Sequence, residues 1–409
     1  LRRFLIPLGA KTMSYNLAKI NFIYFCTRFH FYIHIYALIL QRRGLSLLQI
    51  STIESVVIAT LFCMEVPTGV IADRLARKWS ITLSVLLLAC GETLFLFSRS
   101  FPLYPVVAVL TGTGFAFASG ATESLIYDSL PAENRDALMK QATSRYGSIG
   151  QFAFFLSPII GSFIVGDLAP ERVNTAIALT ALALFIGLCV SLTLREPATP
   201  YHAQKPNSLA ILRDGLAQLR GNRQLQRIAL LSILTTPFTG VLVTTFAAPY
   251  LTQNAVPPLL IGLALSIGSL LAAFTQRYAY RLEAVMGARR ALLILTLLPG
   301  ISYLVLAALA GPIPSWLLIT WMYATNDMRS PLLSAYQNAL ITTSSRATTL
   351  SLMSMLLSLF VAVMGPVYAA LGTQSLALAF IVMGGVIIVA GTFIRIDIRP
   401  KTVENQLHT

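Results

Sequence analysis

Charge is scarce in this sequence. Asp, Glu, Lys and Arg together make up 11% of 409 residues, while 56% are hydrophobic, so hardly any window of twenty residues holds the charges that a water-facing surface requires. That shortage excludes a soluble globular fold. Cysteine is almost missing as well. Cys26, Cys63, Cys90 and Cys189 fall inside apolar runs and share no paired or ligand-like spacing, which marks them as small packing residues and predicts neither a disulfide nor a metal site. No Gly-x-x-x-x-Gly-Lys-Ser/Thr run occurs, so the phosphate cradle that ATP hydrolysis needs is lacking. No convergent nucleophile, base or metal cluster stands out at one depth; an enzyme is not expected, nor any cofactor.

Apolar runs are what the chain has in abundance. A bilayer core of about 30 Å is crossed by a helix of roughly 20 apolar residues, and runs of that length recur from Leu17 to Ile394. They predict twelve helices near 16–40, 46–71, 79–98, 102–128, 141–166, 174–194, 226–252, 258–283, 290–310, 314–340, 346–371 and 375–395. Backbone groups in lipid must be hydrogen-bonded within their own segment, and runs this long and unalternating are helices rather than the short dyad strands of a barrel. The fold class is all-α, a polytopic membrane protein. Met13 precedes the first run, where a natural start is expected, and that run is a full-length span rather than a cleavable signal.

A net charge of +14 invites a nucleic-acid reading, but its distribution does not support one. With both termini in the cytoplasm, most Lys and Arg lie in cytoplasmic segments. Only Arg42, Arg43, Arg99 and Arg172 lie outside, and Arg28, Arg145, Arg277 and Arg329 lie inside or at the edge of helices. This is the positive-inside bias of a plasma or inner membrane protein. Contact with anionic lipid headgroups accounts for the basic balance, and no nucleic-acid partner is expected.

The longest polar stretch, from Arg195 to Arg227, contains Pro197, Pro200 and Pro206 and a basic amphipathic run from Ser208 to Arg220. It reads as a cytoplasmic linker, 195–225, with an interfacial helix, between six-helix halves at 1–194 and 226–409. The halves echo each other. Helix 5 carries Ser157-Pro158-Ile159-Ile160-Gly161 and helix 11 carries Gly365-Pro366-Val367-Tyr368-Ala369; basic loops follow helix 2 (Arg74 to Lys78) and helix 8 (Arg289 and Arg290). Matches at corresponding places predict two pseudo-symmetric halves.

The run Gly69-Val70-Ile71-Ala72-Asp73-Arg74-Leu75-Ala76-Arg77-Lys78 resembles the loop 2–3 signature of the major facilitator superfamily, Gly-x-x-x-Asp-Arg-x-Gly-Arg-Arg/Lys, with Ala76 in place of the second glycine. Glu65-Val66-Pro67-Thr68, Ser119-Gly120-Ala121, Tyr127-Asp128 and Arg346-Ala347-Thr348 resemble a bacterial drug-exporter-like branch. Helix 5 has a loose form of the antiporter signature in Gly147, Gly150, Pro158 and Gly161, with Ser157 and Ser162 at its other glycine positions. Many proton antiporters of the superfamily carry an arginine four residues before a Gly-x-Gly on helix 4. Here Ala108 precedes Gly112-Thr113-Gly114, which removes proton coupling through that residue. The resemblance implies a cytoplasmic gate of Gly69, Asp73, Arg74, Arg77, Lys78, Asp128, Arg145 and Arg346. In it the loop 2–3 carboxylate faces the start of helix 11 in one access state, and Arg77 links it to an acid on helix 4.

Ionisable groups at bilayer depth are expensive and usually face a cavity. Arg28 falls at the middle of helix 1 and Asp327 at the middle of helix 10, and the resemblance makes both helices cavity-lining, so the two are expected to meet at the midplane. Helical spacing sets Asn21, Phe25, Arg28 and Tyr32 on one face of helix 1, and Tyr323, Asp327, Ser330, Ser334 and Gln337 along one side of helix 10. The candidate solute-binding or coupling residues are Asn21, Tyr24, Arg28, Tyr32, Glu123, Tyr323, Asp327 and Ser334. Two roles stay open for Glu123: a proton site, or a partner for Arg145. The function expected is secondary active transport by alternating access, as proton-driven export of small amphipathic or drug-like solutes by a monomer. Symport uptake of a sugar, organic acid or lipid-like solute is the alternative within transport, and a non-transporting receptor or scaffold the alternative outside it.

Overall fold

A computed structural model describes residues 11–74, 76–131, 133–196, 216–236, 238–341, 346–394 and 396. Most of the expected linker and its amphipathic run, 197–215, lies outside the described residues. Among the described residues all regular structure is helical. In chain order the helices are α1a (Lys11–Arg28), α1b (Tyr36–Arg42), α2 (Leu47–Arg74), α3 (Arg77–Phe97), α4a (Leu103–Ala118), α4b (Ala121–Asp128), α5 (Arg135–Val165) and α6 (Pro170–Leu192). There follow α7a (Arg223–Thr235), α7b (Phe238–Val241), a wide π-helical turn (Leu242–Phe246), α7c (Ala247–Gln253), α8 (Pro258–Met286), α9 (Ala288–Ala308), α10a (Pro312–Thr325), α10b (Ser330–Leu340), α11 (Arg346–Gln374) and α12 (Leu376–Phe393).

Among the described residues, ten helical stretches are long and apolar enough to cross a membrane. The other two expected spans, 226–252 and 314–340, are covered by pieces of at most 13 and 14 residues. Apolar side chains coat the outside. α12 has a mean hydropathy of 2.5 with only 39% of its span buried, and Phe393, Ile313, Phe163 and Phe97 are exposed. A helix apolar all round that protein does not cover is covered by lipid.

The chain forms two compact units. Leu1–Tyr32 and Val56–Gln204 make unit 1; Ile33–Ser55 and Lys205–Thr409 make unit 2. Within unit 1, α3 packs along α4a and α6, and α1a lies against α5 and α6. Within unit 2, α9 packs along α12, and α8 along α10a.

Lipid supplies no hydrophobic drive between helices, so close backbone approach does that work. Gly300 of α9 and Gly384 of α12 face each other: a Cβ on Gly384 would stand 2.7 Å from the Gly300 carbonyl oxygen. Gly384→Val is therefore expected to lower stability by about 1–3 kcal/mol, read as earlier thermal unfolding in detergent. At Gly385 a Cβ would meet nothing within 4 Å, so Gly385→Val should leave the midpoint unchanged. Equal midpoints for the two variants would refute close packing at this crossing.

Four spans depart from the continuous helices expected. α1 breaks after Arg28. The Phe29 and His30 amides turn back onto the Cys26 and Arg28 carbonyls (3.4 and 3.2 Å), and the Phe31 amide leaves the ladder to donate to Thr180 Oγ1 at 3.2 Å. α4 breaks at Ser119-Gly120, where Gly120 takes φ +72°, a conformation glycine adopts without a Cβ penalty. α7 breaks at Thr236, next to Pro237 in the sequence, and α10 breaks over Asn326–Arg329. These are the first and fourth spans of each half, and the breaks release backbone polar groups that lipid cannot satisfy. Such backbone is tolerated where it lines a cavity or is buried in protein.

Candidate functional site

In unit 1 the breaks of α1 and α4 border one cavity of about 500 Å³. Arg28 is the last residue of α1a and Glu123 lies in the first turn of α4b. The end of a helix carries partial negative charge and its start partial positive charge, so each group is stabilised by its own helix terminus. Neither joins an ion pair among the described residues. The guanidinium of Arg28 lies 5.2 Å from the centre of the Tyr24 ring, which stacks on Tyr146 of α5 at 3.8 Å. Gly150, one turn beyond Tyr146, leaves the space that the Tyr24 ring fills. Thr27, Ser119 and Thr122 add hydroxyls to the lining. Aromatic faces, hydroxyls and opposite charges together suit a solute with apolar and polar parts.

In unit 2 the breaks of α7 and α10 border a cavity of about 360 Å³ that α11 closes with Met353, Ser354 and Leu357. Asn326, Asp327 and Arg329 reach it from α10, Ser330, Ser334 and Gln337 from α10b, and Ser232 and Thr236 from α7. Asn326 and Arg329 are 5% and 3% exposed. One long contact joins Arg329 Nη2 to Thr236 Oγ1 at 3.5 Å. Arg329 Nη1 and both polar atoms of the Asn326 side chain have no hydrogen-bond partner among the described residues, and no ion pair joins Asp327 to Arg329.

At the α4b end of unit 1 a polar knot ties four spans. Arg77 is paired with Asp128. The Glu196 carboxylate accepts the Arg77 and Lys78 backbone amides, 3.0 Å each, one on each oxygen. It thereby satisfies two donors that begin α3. Asn16 of α1a donates to Ser129 Oγ and to the Arg195 carbonyl at 3.1 and 2.8 Å.

The residues singled out from sequence are distributed as follows. Tyr24, Arg28 and Glu123 line the unit 1 cavity, and Asp327 and Ser334 line the unit 2 cavity. Arg28 is thus placed in the cavity of unit 1 and Asp327 in that of unit 2. Tyr32 stacks instead on Phe95 of α3, rings 5.4 Å apart. Tyr323 is buried, and a Cβ on Gly268 of α8 would run into it. Both tyrosines lie across a break from the charge they were phased with, so the helical spacing that grouped them does not hold. Asn21, half-buried on α1a, lines neither cavity. Arg145 is exposed and forms no ion pair with Glu123. A Cβ on Gly69 would meet nothing within 4 Å. Asp73, Arg74 and Arg346 lie on described helices, but their side chains fall outside the described residues. Sequence reasoning missed Tyr146, Asn326, Arg329 and Glu196. Arg329 carried a signal, being a cation inside an apolar run.

A comparison with curated protein sequences finds no significant match. Among solved structures, the nucleoside transporter NupG superposes with a TM-score of 0.77 at 12% identity, over 93% of this chain and 98% of that one. A D-xylose-proton symporter gives 0.73 at 14% identity, over 96% and 98%, and the peptide transporter POT gives 0.71 at 17%, over 95% and 95%. At such identities these likenesses show the fold. The model of the Major Facilitator Superfamily matches residues 20–326, from within α1a to the break in α10. Spanning so much of the sequence, that match places this multi-pass membrane chain among transporters rather than enzymes: it belongs to the major facilitator superfamily.

Proposed function

We propose that the chain is a secondary active transporter of a drug-exporter-like branch, working by alternating access and exporting small amphipathic solutes in exchange for protons. The observation that carries this reading is the paired arrangement of the cavities. Each unit holds one, at breaks in its first and fourth spans, and each cavity presents an arginine and an acid that no ion pair joins. Arg329 is buried with no ion-pair partner among the described residues, which is expensive unless a solute compensates it during the cycle, and Arg28, Glu123 and Asp327 stand exposed to their cavities, open to a solute or a proton. Glu123 and Asp327 are the proton-carrying groups in this reading. Gly69, Asp73, Arg74, Arg77, Lys78, Asp128, Arg145 and Arg346 form the gate on the cytoplasmic side of a bacterial inner membrane, with both termini in the cytoplasm and a monomer as the working unit. Membrane energy suffices. One charge moving through about 100 mV releases roughly 2.3 kcal/mol, enough for about a fiftyfold gradient.

The test uses energised inverted vesicles and a panel of amphipathic dyes, amino acids and sugars. Accumulation that an uncoupler abolishes is the result expected of an exporter. Uptake only in right-side-out vesicles would replace export by symport, and accumulation of no panel member in either orientation would count against transport.

A further inference from the structure

We infer that the transported solute is a zwitterion, an amphipathic molecule of amino-acid type, and that unit 2 reads both of its charges. The inference rests on the transport reading and narrows it to a substrate class. Arg329 is 3% exposed and stands at the start of α10b, the end of a helix where a cation is least favoured and an anion most favoured. Its Nη1 and the Asn326 amide have no hydrogen-bond partner among the described residues. A planar guanidinium edge beside an amide suits a carboxylate, which accepts several hydrogen bonds on two oxygens. Two residues from Arg329, Asp327 lines the same cavity without pairing with it.

That second charge decides the class. A plain organic anion would compensate Arg329 and leave Asp327 beside an added negative charge. A phosphate, with up to two negative charges, would be repelled more strongly, and a plain cation would leave Arg329 buried and unmatched. A molecule whose carboxylate meets Arg329 and Asn326, and whose ammonium meets Asp327, completes both pairs at once. The remaining wall, Ile233, Leu333, Leu350, Met353 and Leu357, takes a hydrocarbon side chain. The volume of about 360 Å³ lies in the range of small-molecule sites, roughly 300–1,000 Å³. Unit 1 repeats the pattern with Arg28 and Glu123 around the Tyr24–Tyr146 stack.

The experiment measures binding to the purified full chain in detergent by calorimetry, with phenylalanine, its methyl ester, N-acetylphenylalanine and the neutral N-acetyl methyl ester as probes. Phenylalanine should bind at least about tenfold more tightly than any of the other three, the loss expected when one charged hydrogen bond is missing. Arg329→Gln should erase its advantage over the methyl ester, and Asp327→Asn its advantage over the N-acetyl acid. Should Arg329→Gln fail to elute as a monodisperse species, the wild-type series and Asp327→Asn decide by themselves. Equal binding of phenylalanine and the neutral derivative, or no binding of phenylalanine, overturns the inference. Binding with the stated preference but without accumulation in proteoliposomes supports recognition of both charges by unit 2 and overturns the transport reading alone. Accumulation of a neutral dye with no preference for phenylalanine overturns the inference alone.

Discussion

Arg77→Ala is expected to destabilise unit 1 by about 3–5 kcal/mol, the usual effect of removing one partner of a buried ion pair. The reason lies in Asp128. Its side chain is 1% exposed and Arg77 is its ion-pair partner, so alanine leaves a carboxylate where water cannot solvate it. Asp128→Asn in the same background removes the buried charge, and the double variant should recover most of the loss. The measurement is the midpoint of thermal unfolding in detergent, taken as a ranking because a chain of two units need not unfold in one step. Wild type should rank first, the double variant next and Arg77→Ala last. An Arg77→Ala midpoint equal to wild type would show that the pair contributes nothing. Glu196→Gln should have a milder effect of about 1–3 kcal/mol, since the one amide oxygen can keep only one of the two backbone N–H bonds and the NH2 that replaces the other oxygen cannot accept.

Arg28→Gln is expected to behave in the opposite way, leaving the fold intact and lowering kcat/KM for transport about 10- to 150-fold, the equivalent of a charged hydrogen bond worth about 1.5–3 kcal/mol. Arg28 is exposed to its cavity and holds no acid in an ion pair among the described residues, so its loss strands no buried partner there. The effect falls on whatever the cavity binds. Initial rates in proteoliposomes and an unfolding midpoint, taken on the same preparation, separate the two consequences. Unchanged transport would remove Arg28 from the solute path. A midpoint lowered as far as that of Arg77→Ala would assign it to holding the fold.

The contrast between the two arginines shows what the sequence makes legible. The spans themselves follow from apolar length: α3, α6, α9 and α12 lie where uninterrupted runs put them. The breaks do not follow from composition. Gly120 and Pro237 are visible signals, yet both residues also occur inside unbroken membrane helices, as Pro158 does in α5 and Pro366 in α11. The break after Arg28 has neither residue. It depends on Thr180, far along the chain, which takes the Phe31 amide. Because nothing local announces the breaks, one helical phase continued across them groups Tyr32 and Tyr323 with cavity residues, although one packs on Phe95 and the other against Gly268. Glu196 was illegible for another reason. It stands just past α6 in a polar stretch that reads as linker, and only its approach to the start of α3 gives it a role.

The interruption of α10 also bears on how the chain is made. On insertion scales an Asp or Arg at the centre of a span disfavours entry into lipid by about 2.5–3.5 kcal/mol each, while a Leu or Ile favours it by only about 0.3–0.6. With Asp327 and Arg329 between two short pieces, α10 is a poor passenger for the translocation machinery when presented alone. Glycosylation mapping should find it incompletely inserted as an isolated segment and inserted when its neighbours are present. α8, against which Tyr323 packs, has already been synthesised when α10 emerges, but α11, which supplies Met353, Ser354 and Leu357 to the cavity wall, has not. The tenth span is therefore expected to settle only after the eleventh has been made, so that the binding cavity of unit 2 is completed late in biogenesis.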